Sequence, residues 1–340
     1  MSYPRAVFLD TCILEQQHFN FSSAAITSFV DVAKKQKLQF LLPDPTAKEI
    51  LRHIRERSAD ALKALEDARR KAPFLAKWKG FPQRTNQRLA DWEVNKLAQE
   101  EWQNFLKQFD TVHLGYEGIK TEMVMTWYDS TRAPFGKGAK RKEFPDAFAV
   151  AILDAFATGK TVTVAVVSTD SDMEAACGHF GNLLYFPTLQ QLTESLLKDE
   201  HGVGKIRAGI AGDVTRLTER IKKNLTRLHF AHAKERYTVQ GTNVGSVTIA
   251  DFRVVAVGHG ECTITFEASI DLEADLTWTS RDDPDTEYYE ASDRLADSIE
   301  ITGTAKIKLS AAGDGIAEIP FLEFDHSEAL VTATPDRHEE

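Results

Sequence analysis

Short apolar runs alternate with helical patterns through the first 197 residues of the chain. The runs that read as strands are residues 5–9, 38–42, 162–167 and 183–186, and segments with helical spacing separate them. Strands that alternate with helices are connected by crossovers, and this order is typical of a parallel sheet with helices on both faces. The sequence therefore predicts an α/β domain over residues 1–200, with a parallel sheet sandwiched by helices.

One stretch departs from this alternation. Residues 56–108 are rich in Ala, Lys, Arg, Glu and Gln, and a further helical pattern covers residues 116–129. Most of these residue types favour helices. We therefore predict a helical insertion at about residues 56–130.

The pattern changes again towards the C-terminus. From residue 237 onward, apolar and polar residues alternate with period two, and turn signals such as Gly258-His259-Gly260 separate the runs. We expect a helical linker over residues 201–236 and an antiparallel β-rich domain over residues 237–335. The sequence leaves open whether that domain is a sandwich or a sheet covered by helices.

Composition limits the classes of protein to consider. The net charge of −10 argues against a protein that coats nucleic acid nonspecifically along its whole surface, although residues 137–142 and 216–236 are basic. The three cysteines lack CxxC spacing, which favours a reducing cytoplasm over a disulfide framework or a zinc site. The chain begins directly with a strand and has no apolar run of about 20 residues, so we expect neither a signal peptide nor a membrane span.

Acidic residues occupy four places in the α/β region. Asp10 follows the first strand, Asp170 and Asp172 follow the strand at 162–167, and Glu49 and Asp146 lie on predicted helices. Ligands bind at the carboxyl ends of the strands in open α/β sheets. Carboxylates crowded there repel and raise each other's pKa, and hard divalent cations with oxygen ligands relieve this repulsion. The pattern predicts a metal-dependent nuclease.

Each of these acids also has a purely structural explanation. An Asp at a strand end followed by Thr can simply cap a helix, and this applies to Asp10 and to Asp170. Asp146 suits the first turn of a helix, where negative charge is favoured. Glu49 can be a solvated residue paired with Arg52 or His53. Capping alone is a poor explanation for all four places together.

With these residues the first 200 positions resemble a PIN domain. The matching elements are a hydrophobic run before Asp10-Thr11, Thr46-x-x-Glu49 on a helix, Asp146 at a helix start, and Thr169-Asp170-x-Asp172 after a core strand. Many members of that family have Asn where this chain has Cys12. The resemblance implies a metal-dependent phosphodiesterase, usually a ribonuclease, with a two-metal mechanism.

The resemblance also implies individual roles. Asp10, Asp146 and Asp170 would be the main ligands of Mg²⁺ or Mn²⁺. Glu49 and Asp172 would bind through water or orient the attacking water. Two hydroxyl residues would hold the carboxylates by hydrogen bonds, namely Thr11 and Thr169.

A basic segment immediately precedes Asp146. Its cationic side chains are spaced by glycines and would contact substrate phosphates, so the affinity would depend on salt. These cationic residues are Lys137, Lys140, Arg141 and Lys142. A solvated loop is the alternative, and Glu143 tempers the local charge. Tryptophans such as Trp102 can stack on bases, but at helical spacing they are more often part of a core.

Two other functions stay open from sequence. A haloacid-dehalogenase-like phosphatase also starts with a strand and an Asp, but it has a second Asp two residues later, where this chain has Cys12, and it would leave Glu49 without a role. A catalytically silent PIN-like scaffold, acting as a binding module, is the other. The domain layout is also compatible with a toxin or phage-defence effector whose activity is gated. We expect RNA as the substrate and a protein partner for the acidic β-rich domain. A homodimer is also compatible with the resemblance, because PIN-like domains often dimerise.

Overall fold

The computed structural model describes residues 3–77, 91–136, 143–197, 202–280, 289–310 and 315–335. The chain divides into two compact units, Met1–Leu192 and Thr193–Glu340. The boundaries expected from sequence, at residues 200 and 236, stay a proposal. In the described part of the chain, no helix combines the length and the apolar character needed to cross a bilayer.

The first unit contains a five-stranded sheet in which all strands are parallel. The strands are β1 (Ala6–Leu9), β2 (Gln39–Pro43), β3 (Asp110–Leu114), β4 (Val164–Val167) and β5 (Leu183–Phe186), in the order β3-β2-β1-β4-β5. Ala6 of the central strand is opposite Gln39 on one side and Val164 on the other. All four residues of β1 are buried, as expected for a strand covered on both faces. The predicted α/β fold class is confirmed.

Helices connect these strands. In chain order they are α1 (Thr11–Gln16), α2 (Ala24–Lys35), α3 (Asp44–Lys71), α4 (Asp91–Leu106), α5 (Thr121–Asp129), α6 (Phe144–Lys160) and α7 (Ser171–Cys177). Helix α8 (Leu189–Leu197) follows β5, and its residues from Thr193 onward belong to the second unit. Ser23 caps α2, because its hydroxyl accepts a hydrogen bond from the N–H of Ile26. Most residues in the middle of α6 are buried. Val150 and Leu153 belong to the same hydrophobic core cluster as Phe8 and Val166 of the sheet.

The region predicted as a helical insertion also contains a strand. Helix α3 runs on to Lys71 and helices α4 and α5 follow, but β3 lies between α4 and α5 and pairs with β2, with Asp110 opposite Gln39. The sequence missed it because β3 is an edge strand that is at most half-buried and lacks an apolar run. Trp102 and Trp127 are buried, as core residues would be, whereas Trp92 is exposed.

The second unit is built on a long antiparallel sheet. Its elements are α9 (Val203–Gly212), α10 (Val214–Asn224), β6 (His229–His232), β7 (Thr238–Val257), β8 (Glu261–Ser280), β9 (Tyr289–Leu309), β10 (Ile316–Phe324) and β11 (Glu328–Val331). Strands β7 to β10 are hydrogen-bonded in the order β10-β9-β8-β7, while β6 and β11 form a separate parallel pair. The turn between β7 and β8 contains Gly260 at a φ of 77°, a conformation that favours glycine.

Helices rather than a second large sheet accompany this antiparallel sheet in the described residues. Leu217 and Ile221 of α10 are fully buried. Lys222 of the same helix donates a 2.8 Å hydrogen bond to the carbonyl of Gly245 in β7, and Arg216 donates one to the carbonyl of Ile316 in β10. Of the two arrangements left open by the sequence, the structure has the sheet with helices.

Candidate active site

Asp10 lies at the carboxyl end of the central strand. Its N–H donates to the carbonyl of Val167 in β4 at 2.9 Å, which extends the pairing of the two strands to the site. Its Oδ1 accepts from the N–H of Thr11 at 2.7 Å, so Asp10 does cap α1. Its Oδ2 accepts from the Ser168 hydroxyl at 2.5 Å and from the Cys12 thiol at 3.3 Å. Both carboxylate oxygens are therefore held in place.

Burial is the strongest influence on the ionisation of Asp10. It raises the pKa of the carboxyl above its usual range, even though the hydrogen bonds from Ser168, Cys12 and Thr11 lower it, and the nearby charge of Glu49 raises it further. A nearby positive charge would stabilise the ionised form of a carboxyl group in such surroundings. The cap explanation and a functional explanation of Asp10 are thus compatible.

Glu49 approaches Asp10 from helix α3. The hydroxyl of Thr11 donates a 2.9 Å hydrogen bond to Glu49 Oε2, which ties α3 to the start of α1. The other oxygen, Oε1, lies 3.7 Å from Arg52 Nη2 and 3.7 Å from His53 Nε2. Glu49 therefore makes the ion pairs of a solvated helical residue on one side and faces the site on the other.

Asp146 completes a cluster of carboxyl groups. It lies in the first turn of α6, and its pKa is raised to about 8, first by burial, then by a hydrogen bond with Glu143 and by the charges of Asp10, Glu143 and Glu49. Charges perturb a pKa this way only over short distances. The structure thus brings Asp10, Glu49 and Asp146 into one electrostatic group.

Asp170 and Asp172 lie at the start of α7, which follows β4, the neighbour of β1 in the sheet. Asp170 caps the helix, because its Oδ1 accepts from the N–H of Asp172 at 2.9 Å. The N–H of Asp170 donates to the Ser168 hydroxyl at 3.1 Å, so Ser168 links Asp170 to Asp10. Asp170 is exposed and Asp172 is half-buried. Thr169 contacts the sulfur of Cys12 through its N–H at 3.4 Å.

Two functional candidates were not assigned from sequence. Ser168 is fully buried, and its hydroxyl donates a hydrogen bond to Asp10. In the sequence, the only indication of this role is that Ser168 ends an apolar run just before Asp170 and Asp172. In the sequence Glu143 only tempers the charge of the basic segment, whereas in the structure it is hydrogen-bonded to Asp146. The proposed phosphate contacts lie outside the described residues; they are Lys137, Lys140, Arg141 and Lys142.

The donors at this site suit a hard divalent cation. They are carboxylate oxygens, and burial raises the pKa of Asp10 and that of Asp146, so a nearby cation would favour the ionised form of both. Within the described ranges no three His, Cys, Asp or Glu side chains stand close enough together to form a ready ligand group. One or two carboxylates with several waters are enough for Mg²⁺, so the residues fit such an ion.

Comparison with known protein families gives a match to the N-terminal region of the chain. A family model described as PIN domain matches residues 7–173, a range that includes Asp10, Glu49, Asp146, Asp170 and Asp172. No curated protein and no solved structure shows significant similarity to the chain.

Proposed function

Since the N-terminal part of this chain is a PIN domain, and PIN domains are generally nucleases, we propose that the protein is a divalent-metal-dependent endonuclease that cleaves RNA. The observation that carries the proposal is the cluster of Asp10, Glu49 and Asp146. The pKa of Asp146 is raised to about 8 within it, because the group is buried among other acids. Such perturbed groups in one place are typical of functional sites.

The proposed roles follow from the contacts of each side chain. Asp10 and Asp146, together with Asp170, would hold Mg²⁺ or Mn²⁺. When bound, two such ions stabilise the attacking and leaving oxygens of an in-line displacement at phosphorus. Glu49, with the Thr11 hydroxyl on one oxygen, would accept a hydrogen bond from the attacking water and orient it.

The remaining assignments concern positioning and substrate. Ser168 would keep Asp10 in one orientation, and Asp172 would act through water. The cations of the basic segment would contact the phosphates on either side of the scissile bond. They are Lys137, Lys140, Arg141 and Lys142.

The two domains would have separate roles. We propose a nuclease domain at residues 1–200 and a β-rich domain at 237–335 that binds a basic protein partner, because exposed acids such as Glu273 and Glu300 lie on its strands. Such a partner would gate the nuclease, as in a cytoplasmic defence effector. Light scattering of the purified chain, alone and with candidate partners, measures the proposed homodimer and the complex.

The test compares cleavage of RNA and of single-stranded DNA by the wild type and by Asp10→Asn, with Mg²⁺, Mn²⁺ or EDTA. We expect metal-dependent cleavage of RNA that falls roughly 10³-fold in Asp10→Asn, since charge stabilisation by the metal is worth several kcal/mol. Asp154→Asn is the matched control, because Asp154 lies two turns further along α6 and bonds to Thr158. It should retain activity.

The same assay separates the alternatives. Hydrolysis of a phosphomonoester without cleavage of RNA would identify a phosphatase. Binding of RNA by the wild type without cleavage under any metal condition would identify a silent scaffold. RNA cleavage that is unchanged in Asp10→Asn would refute the proposed site.

A further inference from the structure

An exposed aromatic side chain lies at the same edge of the sheet as the acidic cluster. Tyr116 follows strand β3 by two residues, and 42% of it is exposed. Because all five strands are parallel, their carboxyl ends share one edge. Asp10 follows β1 there, and helix α3, which carries Glu49, follows β2.

Two contacts attach Tyr116 to the elements that carry the acids. Its ring meets the ring of Phe148 edge to face, with centroids 5.6 Å apart and planes at 78°. Phe148 lies in α6, two residues after Asp146. Lys48, the residue before Glu49 in α3, places its Nζ 5.4 Å from the centre of the Tyr116 ring. The ring is thus adjacent to both helices that carry cluster residues.

The cation beside the ring is available to a ligand. Lys48 is paired with Asp44 at 3.8 Å, but its side chain is largely exposed, and exposed pairs of this kind contribute little. A phosphate that approaches the ring would therefore compete with Asp44 at low cost. The Tyr116 ring contacts Phe148 and Lys48, and a large part of the residue stays exposed to solvent.

We propose that Tyr116 and Lys48 form a subsite that binds one unpaired base of the substrate and the phosphate beside it. This inference rests on the proposed nuclease function. An aromatic ring stacks on any base, and a lysine attracts the backbone phosphate. A base can stack on Tyr116 only when it is free of a duplex. The subsite would hold the strand beside Asp10 and Asp146 without reading its sequence.

The experiment measures binding of a fluorescently labelled, unstructured RNA by anisotropy, in the Asp10→Asn background with Mg²⁺ so that the RNA stays intact. We expect Tyr116→Ala to weaken binding about 10-fold, because the variant loses the ring on which the base stacks. Tyr116→Phe should bind like the parent. Phe321→Ala is the control, because Phe321 lies in the other unit and is 41% exposed.

Two further measurements test the lysine and the strand selectivity. Lys48→Ala should lower the slope of log affinity against log salt by about one, as expected for one lost phosphate contact. The same RNA annealed to its complement should bind more weakly than the single strand and should be insensitive to Tyr116→Ala. The melting temperature of each variant shows that the fold is intact.

The outcomes distinguish the two levels of inference. Unchanged affinity in a folded Tyr116→Ala protein, with cleavage still lost in Asp10→Asn, overturns the subsite and leaves the nuclease proposal standing. Equal affinity for duplex and single strand overturns the stacking of an unpaired base on Tyr116. If the wild type neither binds nor cleaves RNA or single-stranded DNA, both proposals fail.

Discussion

The hydroxyl of Ser168, at the end of β4, donates a 2.5 Å hydrogen bond to Oδ2 of Asp10, at the end of the neighbouring strand β1. The same hydroxyl accepts from the N–H of Asp170 at 3.1 Å. One buried side chain therefore couples acidic residues from two parts of the chain that are far apart in sequence. Their relative position depends on the pairing of β1 with β4.

Replacing Ser168 tests this coupling. Ser168→Ala removes the hydrogen bond that orients Asp10, and we expect a 10- to 100-fold loss of activity or metal affinity, the usual range for a residue that supports a ligand. The measurement is the Mg²⁺ or Mn²⁺ concentration that gives half-maximal cleavage. Ser171→Ala makes the same chemical change at an exposed position and should leave it unchanged. Equal metal dependence in both variants would show that Ser168 does not position Asp10.

Asp146→Asn separates the stability of the metal-free protein from metal binding. An amide carries no charge among Asp10, Glu49 and Glu143 and can still donate to Glu143, so we expect the melting temperature in EDTA to rise by a few °C. Added Mn²⁺ should raise the melting temperature of the wild type but not that of the variant. Thermal unfolding followed by fluorescence measures both. A variant that is still stabilised by Mn²⁺ would contradict the role of Asp146 as a ligand.

The cysteine thiols differ in their expected reactivity. Burial raises the pKa of Cys177 and that of Cys262 to about 12. At pH 8 only the thiolate reacts, so alkylation of these two thiols in the native protein should be on the order of 10³-fold slower than that of a free cysteine. Mass spectrometry after iodoacetamide treatment, before and after unfolding in urea, measures this protection. Rapid native labelling of Cys177 would contradict its burial.

A buried carboxylate organises an ionic network in the second unit. Glu194 is 4% exposed and lies 3.1 Å from Arg253 Nη1 and 3.3 Å from Arg207 Nη1, while Asp251 pairs with both arginines. Glu194→Ala should lower the free energy of unfolding by about 2 kcal/mol, a value reduced because both arginines are partly exposed. Urea denaturation measures it. Glu318→Ala, which breaks an exposed pair, is the control, and an equal effect of the two would refute the prediction.

Gly303 of β9 is predicted to tolerate no side chain. A Cβ at this position would collide with the carbonyl oxygen of Glu323 and lie 2.7 Å from the Phe266 ring. Gly303→Ala should destabilise the protein by about 2 kcal/mol, a typical cost of overpacking. Gly241→Ala is the control, since its Cβ would only approach a flexible Asp275 carboxylate at 3.4 Å. Similar denaturation midpoints for the two variants would disprove the clash.

Part of the fold could be predicted from sequence, because the apolar runs in the chain coincide with strands that are buried in the structure. The strands around Phe8, Leu41 and Val166 are short apolar runs covered on both faces, and their pattern reveals them without tertiary information. The edge strand β3 was missed because only one of its sides pairs and its residues are at most half-buried. Strands β7 and β9 are 20 and 21 residues long, and most residues in the first half of each are at least partly exposed, so the alternation of buried and exposed residues is weak there.

The sequence by itself determined the α/β class and the acidic residues at strand and helix ends, because periodicity and strand-end position are local properties of the chain. Only the tertiary structure decided which acids share one environment. Burial and proximity raise the pKa of Asp146 to about 8, and both depend on α6 packing beside β1 and α3. The Ser168 hydrogen bond and the position of Tyr116 beside Phe148 likewise arise from strand order, which local sequence does not encode.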